Sequence, residues 1–120
     1  MQLNAPQGSS GSCRNATTTV YANSLIAWQG PGRLFGLSGY NSKVAAQFIQ
    51  IFDSATVPAD GAVPVVVISV PTAASFQFLL TDYGRLFYNG ITIVNSSTGP
   101  TKTIGAADCW FDAQYTPGQS

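Results

Sequence analysis

Beyond residue 16 the chain alternates short runs of β-branched and aromatic residues with clusters of Gly, Pro, Asn and Asp. Such runs read as strands, because side chains of an extended chain point alternately to opposite faces. Residues 47–53 alternate most cleanly, with Phe48, Gln50 and Phe52 on one face and Gln47, Ile49, Ile51 and Asp53 on the other. Residues 75–80 likewise place Phe76, Phe78 and Leu80 together. Further strands are predicted at 17–22, 25–28, 33–40, 63–70 and 109–115, the third broken by Gly36 and Gly39. The most apolar of them, 63–70, reads as a central strand whose start Pro64 confines to an edge or bulge. Gln29-Gly30-Pro31-Gly32, Pro58-Ala59-Asp60-Gly61 and Asp82-Tyr83-Gly84 supply turns. Asn89-Gly90 predicts either a two-residue hairpin or a kink in a strand running to Asn95. One short helical turn is expected at 42–46, and no longer segment has a helical period. The predicted fold is all-β: a single β-sandwich, jelly-roll or immunoglobulin-like, of seven to eight strands over residues 17–120.

Residues 1–16 are small and polar, with Met1 and Leu3 the only large apolar groups. They cannot bury enough surface to order themselves and read as a flexible N-terminal arm. They also lack the apolar run of a signal peptide, and no window of the chain has the roughly 18 apolar residues of a membrane helix. Gly32-Arg33-Leu34-Phe35 recurs as Gly84-Arg85-Leu86-Phe87, each copy opening a strand just after a turn. The echo is either a coincidence or a pair of equivalent strand starts in opposite sheets.

Composition narrows the function. Only 8% of the 120 residues are charged, five basic against five Asp, with no Glu and no His. An imidazole base, a His metal ligand and a Glu acid are therefore all missing. Zero net charge gives no electrostatic footprint for nucleic acid. Solubility rests on 37 Ser, Thr, Asn and Gln residues. Such a surface lacks the net charge that keeps monomers apart and suits a protein packed against copies or partners. Cys13 and Cys109 are too few for a disulfide framework, and a reducing cytoplasm favours two free thiols over one late bridge.

Catalytic templates fail on residue type or spacing. Gly30-Pro31-Gly32 lacks the third glycine of a dinucleotide fingerprint, and no helix follows it. Gly36-Leu37-Ser38-Gly39 brings its second glycine one residue early for a nucleophile elbow. Asp108 and Asp112 would stand roughly 13 Å apart on an extended strand. Glycosidase carboxylates need roughly 5–9.5 Å. Asp108 thus reads as a turn cap and Asp112 as a surface or interface residue. Asp60-Gly61 alone is a turn, not a calcium loop. The chain reads as a non-enzyme with no catalytic residue, metal site or cofactor.

Phe48, Phe52, Phe76, Phe78 and Phe111 are expected in the core. Trp28 and Trp110 lie near strand ends, where an indole serves a core or, with its N–H accessible, an interface or sugar site. Arg14, Arg33 and Arg85 suit planar contacts to carboxylates or carbonyls, within the chain or across a subunit boundary. These five residues, Arg14, Trp28, Arg33, Arg85 and Trp110, are the candidate subunit or capsid interface.

Several stretches resemble a family of small virion proteins of tailed bacteriophages. They include Cys13-Arg14-Asn15-Ala16-Thr17-Thr18-Thr19-Val20-Tyr21, Gly32-Arg33-Leu34-Phe35-Gly36, Tyr40-Asn41-Ser42, Ala59-Asp60-Gly61-Ala62-Val63-Pro64 and Tyr83-Gly84-Arg85. The most specific are Asn95-Ser96-Ser97-Thr98, Thr101-Lys102-Thr103-Ile104-Gly105 and Ala107-Asp108-Cys109-Trp110-Phe111-Asp112. Among such proteins the capsid decoration, or cement, proteins are the nearest in kind: β-rich subunits, commonly trimers, seated on the outer face of the head. The resemblance implies a protein made in the host cytoplasm that binds the major capsid protein, self-associates as a homotrimer and needs neither nucleic acid nor membrane. The alternative within the virion is a tail-fibre, collar or host-glycan-binding module. With no His and no Glu, little can titrate between about pH 5 and 8. Attachment measured by sedimentation with capsids should therefore be flat over that range and only weakly salt-dependent.

Overall fold

The computed structural model describes residues 13–80 and 83–118. Nine strands and no helix occur among them: β1 (Arg14–Thr17), β2 (Ser24–Trp28), β3 (Gly32–Asn41), β4 (Gln47–Asp53), β5 (Val66–Val70), β6 (Ala74–Leu79), β7 (Arg85–Phe87), β8 (Ile91–Ser96) and β9 (Cys109–Pro117). They form two antiparallel sheets. One has the order β1-β9-β3-β6, with β7 also paired to β3, and the other has the order β2-β8-β4-β5. With β7 set aside, the pairs are nested: β1 with β9, β2 with β8, β3 with β6 and β4 with β5. Pairing of β3 with β9 and of β4 with β8 completes the sheets.

The core lies between the sheets. Ile49, Ile51, Val70, Ile91 and Ile93 of the four-stranded sheet meet Leu34, Leu37, Phe87, Phe111 and Ala113 of the five-stranded one. The alternation of 47–53 thus holds, with Ile49 and Ile51 on the core side. Phe111 is fully buried and tilts against Phe76, ring centroids 6.2 Å apart. Gly39 stands opposite both. A Cβ there would come within 2.1 Å of the Trp110 carbonyl oxygen and 2.5 Å of the Phe76 ring. Far from breaking β3, this glycine lets the aromatic pair close over it.

Tertiary pairing redrew several sequence-based expectations. The first strand is Arg14–Thr17 rather than 17–22, because its residues bond β9 from Tyr115 to Asp112. Residues 14–16 therefore belong to the sheet and not to the arm, whose remaining expectation, at 1–12, lies outside the described residues. Segment 42–46 forms bends, its carbonyl at Ala45 taken by the buried Asn41 amide (3.1 Å). The strand expected at 63–70 begins at Val66 and is the edge of its sheet, not its centre. Asn89-Gly90 is neither hairpin nor kink, since β7 and β8 lie in different sheets. It is the corner between them, tied by the Asp53 carboxylate, which accepts the N–H groups of Tyr88, Asn89 and Gly90. Gly90 is required by close approach: a Cβ would meet the Ser54 carbonyl oxygen at 2.6 Å. The two Gly-Arg-Leu-Phe copies lie in one sheet and pair with each other, Arg33 opposite Leu86 and Leu34 opposite Arg85.

Phe48 and Phe52 also depart from expectation, facing away from the inter-sheet core on the same side as Gln50. That outer face is nevertheless covered. Gln50 is fully buried and its two amide N–H groups are shared among the carbonyls of Thr98 (2.9 Å), Gly99 (2.8 Å) and Thr101 (3.1 Å). Thr92 donates to the Ser54 carbonyl at 2.7 Å. Segments 54–65 and 97–105 thus roof the four-stranded sheet. The roof is clasped by Lys102, buried at 4% exposure, whose ammonium reaches Asp60 Oδ1 at 2.5 Å. Bonds from Lys102 and from the Ile104 N–H hold the Asp60 carboxyl below its ordinary value. The five-stranded sheet has no such roof among the described residues.

Truncating the central ring tests this core. Phe111→Ala should cost about 3–5 kcal/mol through lost burial and a residual cavity. Gly39→Ala should cost about 1–3 kcal/mol by overpacking. Urea denaturation of the two variants measures both.

Candidate functional site

Register assigns the outward row of the five-stranded sheet. On β9 it comprises Trp110, Asp112 and Gln114, and on β3 Ser38 and Tyr40. Tyr40 lies opposite both Trp110 and Ser75, and Ser38 lies opposite both Asp112 and Gln77. Asn15 and Thr17 of β1 extend the row beside Gln114 and Asp112. The same alternation that sends Cys109, Phe111, Ala113 and Tyr115 inward forces their neighbours outward.

Trp110 is 38% exposed. On one side a depression of about 650 Å³ is lined by Ser38, Gly39, Tyr40, Ser75, Phe76, Gln77 and Trp110. On the other, segment 18–21 walls a smaller one of about 230 Å³ against the same indole. That segment is anchored where the Thr18 N–H donates to the Phe111 carbonyl and the Phe111 N–H to the Thr18 hydroxyl, both at 3.0 Å. The Asp112 carboxylate accepts the Asn15 amide and, at 3.5 Å, the Gln114 amide.

The five candidate interface residues separate. Trp110 stands on the open face, near the start of β9. Arg33 lies at one end of that face, opposite Thr116 and Leu86, its guanidinium donating to the Tyr83 carbonyl at 3.3 Å. Trp28 is packed instead: it stacks on Tyr115 (5.8 Å, 29°), and its indole N–H is used by the Pro31 carbonyl at 2.9 Å. Arg14 lies over the Trp28 ring and Arg85 over the Phe87 ring, each at 5.8 Å. These two arginines close the edges of the core as cation–π lids. Among the described residues the ion pairs are Lys43–Asp108 (3.6 Å) and Lys102–Asp60. The sequence reading missed Tyr40, Gln77 and the wall at 18–21. Tyr40 had a visible signal in the alternation of 33–40, but its meeting with Trp110 depends on the β3–β9 register.

No group of three His, Cys, Asp or Glu side chains gathers as a metal site among the described residues. The two cysteines are free, Cys13 exposed and Cys109 buried. Burial, with the neighbouring Asp108 charge, pushes the Cys109 thiol from 9.0 up to about 11. No family model, curated protein or solved structure matches the chain.

A thiol reagent at pH 8 should accordingly label Cys13 at once and Cys109 only after unfolding. A raised thiol pKa favours the protonated folded state, so its contribution to stability is present below pH 9.0 and is lost as pH rises through about 11. Denaturation midpoints across that interval check the sign.

Proposed function

We propose that this protein is a structural protein of a tailed-bacteriophage virion. Its role is that of a capsid decoration (cement) protein: a homotrimer on the outer capsid surface that binds the major capsid protein and bridges capsomers. The observation that carries this reading is an unguarded flank. Edge strands β5 and β6, one from each sheet, contain no charged residue; Val67 (43%) and Leu79 (70%) stand exposed on them, and Val63 (74%) lies three residues ahead of β5. A sheet edge offers unpaired N–H and C=O groups to another chain, so free-standing proteins guard it with charge, proline or bulges. An edge left apolar in a chain of 8% charged residues is suited to being covered, and cementing a shell requires buried contact surface rather than an active site.

The resemblance in the 95–112 region supports the same reading. The nested strand pairing supports a sandwich of the jelly-roll type over the immunoglobulin-like one, because rolling up one long hairpin yields that order. Jelly rolls occur in viral capsid and lectin domains, an analogy of architecture alone.

Electron cryo-microscopy of virions tests the role. Hundreds of copies spread over the shell around threefold positions are expected, and a few copies at one vertex would overturn it in favour of a tail or collar component. Val67→Lys, at an exposed edge position, should weaken binding to expanded capsids by about tenfold or more.

A further inference from the structure

The open face of the five-stranded sheet has a chemistry distinct from the apolar flank. Around the half-exposed Trp110 stand Tyr40, Ser38, Ser75 and Gln77, all brought together by the β9–β3–β6 register. Among the described residues none of these five side chains makes a hydrogen bond within the protein. Trp28 provides the contrast, since its indole N–H is already used by Pro31. The face therefore presents an indole N–H, a phenol, two hydroxyls and a carboxamide, all uncommitted, beside one exposed aromatic ring. The depression they line, about 650 Å³, falls within the roughly 300–1,000 Å³ of ligand clefts.

We propose that this face is a binding site for a neutral saccharide, with Trp110 as the stacking platform. A sugar ring has an apolar C–H face and an equatorial rim of hydroxyls. An exposed indole matches the first, and groups that both donate and accept match the second. Charge argues for a neutral ligand. The Asp112 carboxylate is already bonded by Asn15 and Gln114. Arg33 lies seven residues from Tyr40 along β3, roughly 23 Å at about 3.3 Å per residue. Lys43, three residues beyond Tyr40, is already paired with Asp108 at 3.6 Å. A sulfated, sialylated or phosphorylated ligand at Trp110 would find no unpaired counter-charge there. A protein partner fits less well, because the middle of the face is Ser38, Gln77 and Asp112, with Trp110 at one end, whereas protein interfaces place apolar groups at the centre and polar ones at the rim. The proposal stands on this face alone and does not require the virion role.

The full chain, labelled, is applied to an array of neutral, sialylated and sulfated oligosaccharides, and the strongest neutral probe is then titrated by tryptophan fluorescence. Binding of neutral probes is expected, with Trp110→Ala losing at least about tenfold in affinity. Gln77→Ala should lose less, and Trp110→Phe, which keeps a ring, should retain most of the affinity at unchanged thermal stability. Absence of binding to every neutral probe at millimolar concentration would overturn the proposal, as would preference for the charged probes. Equal affinity in wild type and Trp110→Ala would also overturn it. So would a fall in oligomeric state on Trp110→Ala, read by analytical ultracentrifugation, because the face would then be a contact between copies.

Discussion

A carbonyl buried away from water must find a donor, and the loop over the four-stranded sheet offers three of them to one side chain. Gln50, at the middle of β4 and wholly buried, shares its two amide N–H groups among Thr98, Gly99 and Thr101. An unmet partner in such a site costs about 1–3 kcal/mol, more than a typical hydrogen bond contributes net. The loop is therefore held down, and Lys102 carried upon it reaches across to Asp60. This fixes the character of the molecule. One outer face becomes a third layer, and among the described residues the other remains an uncovered sheet.

The scarcity of charge has a different meaning on each part of the structure. Inside the roof, the Lys102 ammonium is a buried cation whose carboxylate partner lies at the surface, an arrangement that fastens two loops. At the core edges, Arg14 and Arg85 use their planar guanidinium groups against aromatic rings, so their role is packing as much as charge. On the open face, neutrality leaves hydroxyl and amide groups to decide what binds. Along β5 and β6, the missing charge leaves a sheet edge without charged guards.

Period-two alternation was legible where both faces of a strand are distinct. Residues 47–53 and 109–115 were legible as strands because Ile49, Ile51, Phe111 and Ala113 recur at every second position. It was misleading for Phe48 and Phe52, since a hydrophobic residue beneath a loop and one between sheets have the same local pattern. The run at 63–70 looked central for the same reason: alternation and apolarity register burial, not the number of neighbouring strands. Asn89-Gly90 looked like a turn because its composition permits one. Its actual task, passing Ser54 and Ala55 between sheets, involves residues more than 30 positions away.

The sequence by itself determined an all-β chain, the alternation along its strands, the poverty of its catalytic inventory and the candidacy of Trp110. These follow from side-chain type and local period, which every strand carries within itself. Only the tertiary structure decided that Trp28 is packed while Trp110 is open, that the two Gly-Arg-Leu-Phe copies pair, and that Tyr40 and Gln77 join Trp110. Each of those facts is a matter of register between distant strands. Register is set by how two sheets close over one core, and no short stretch of the chain contains that information.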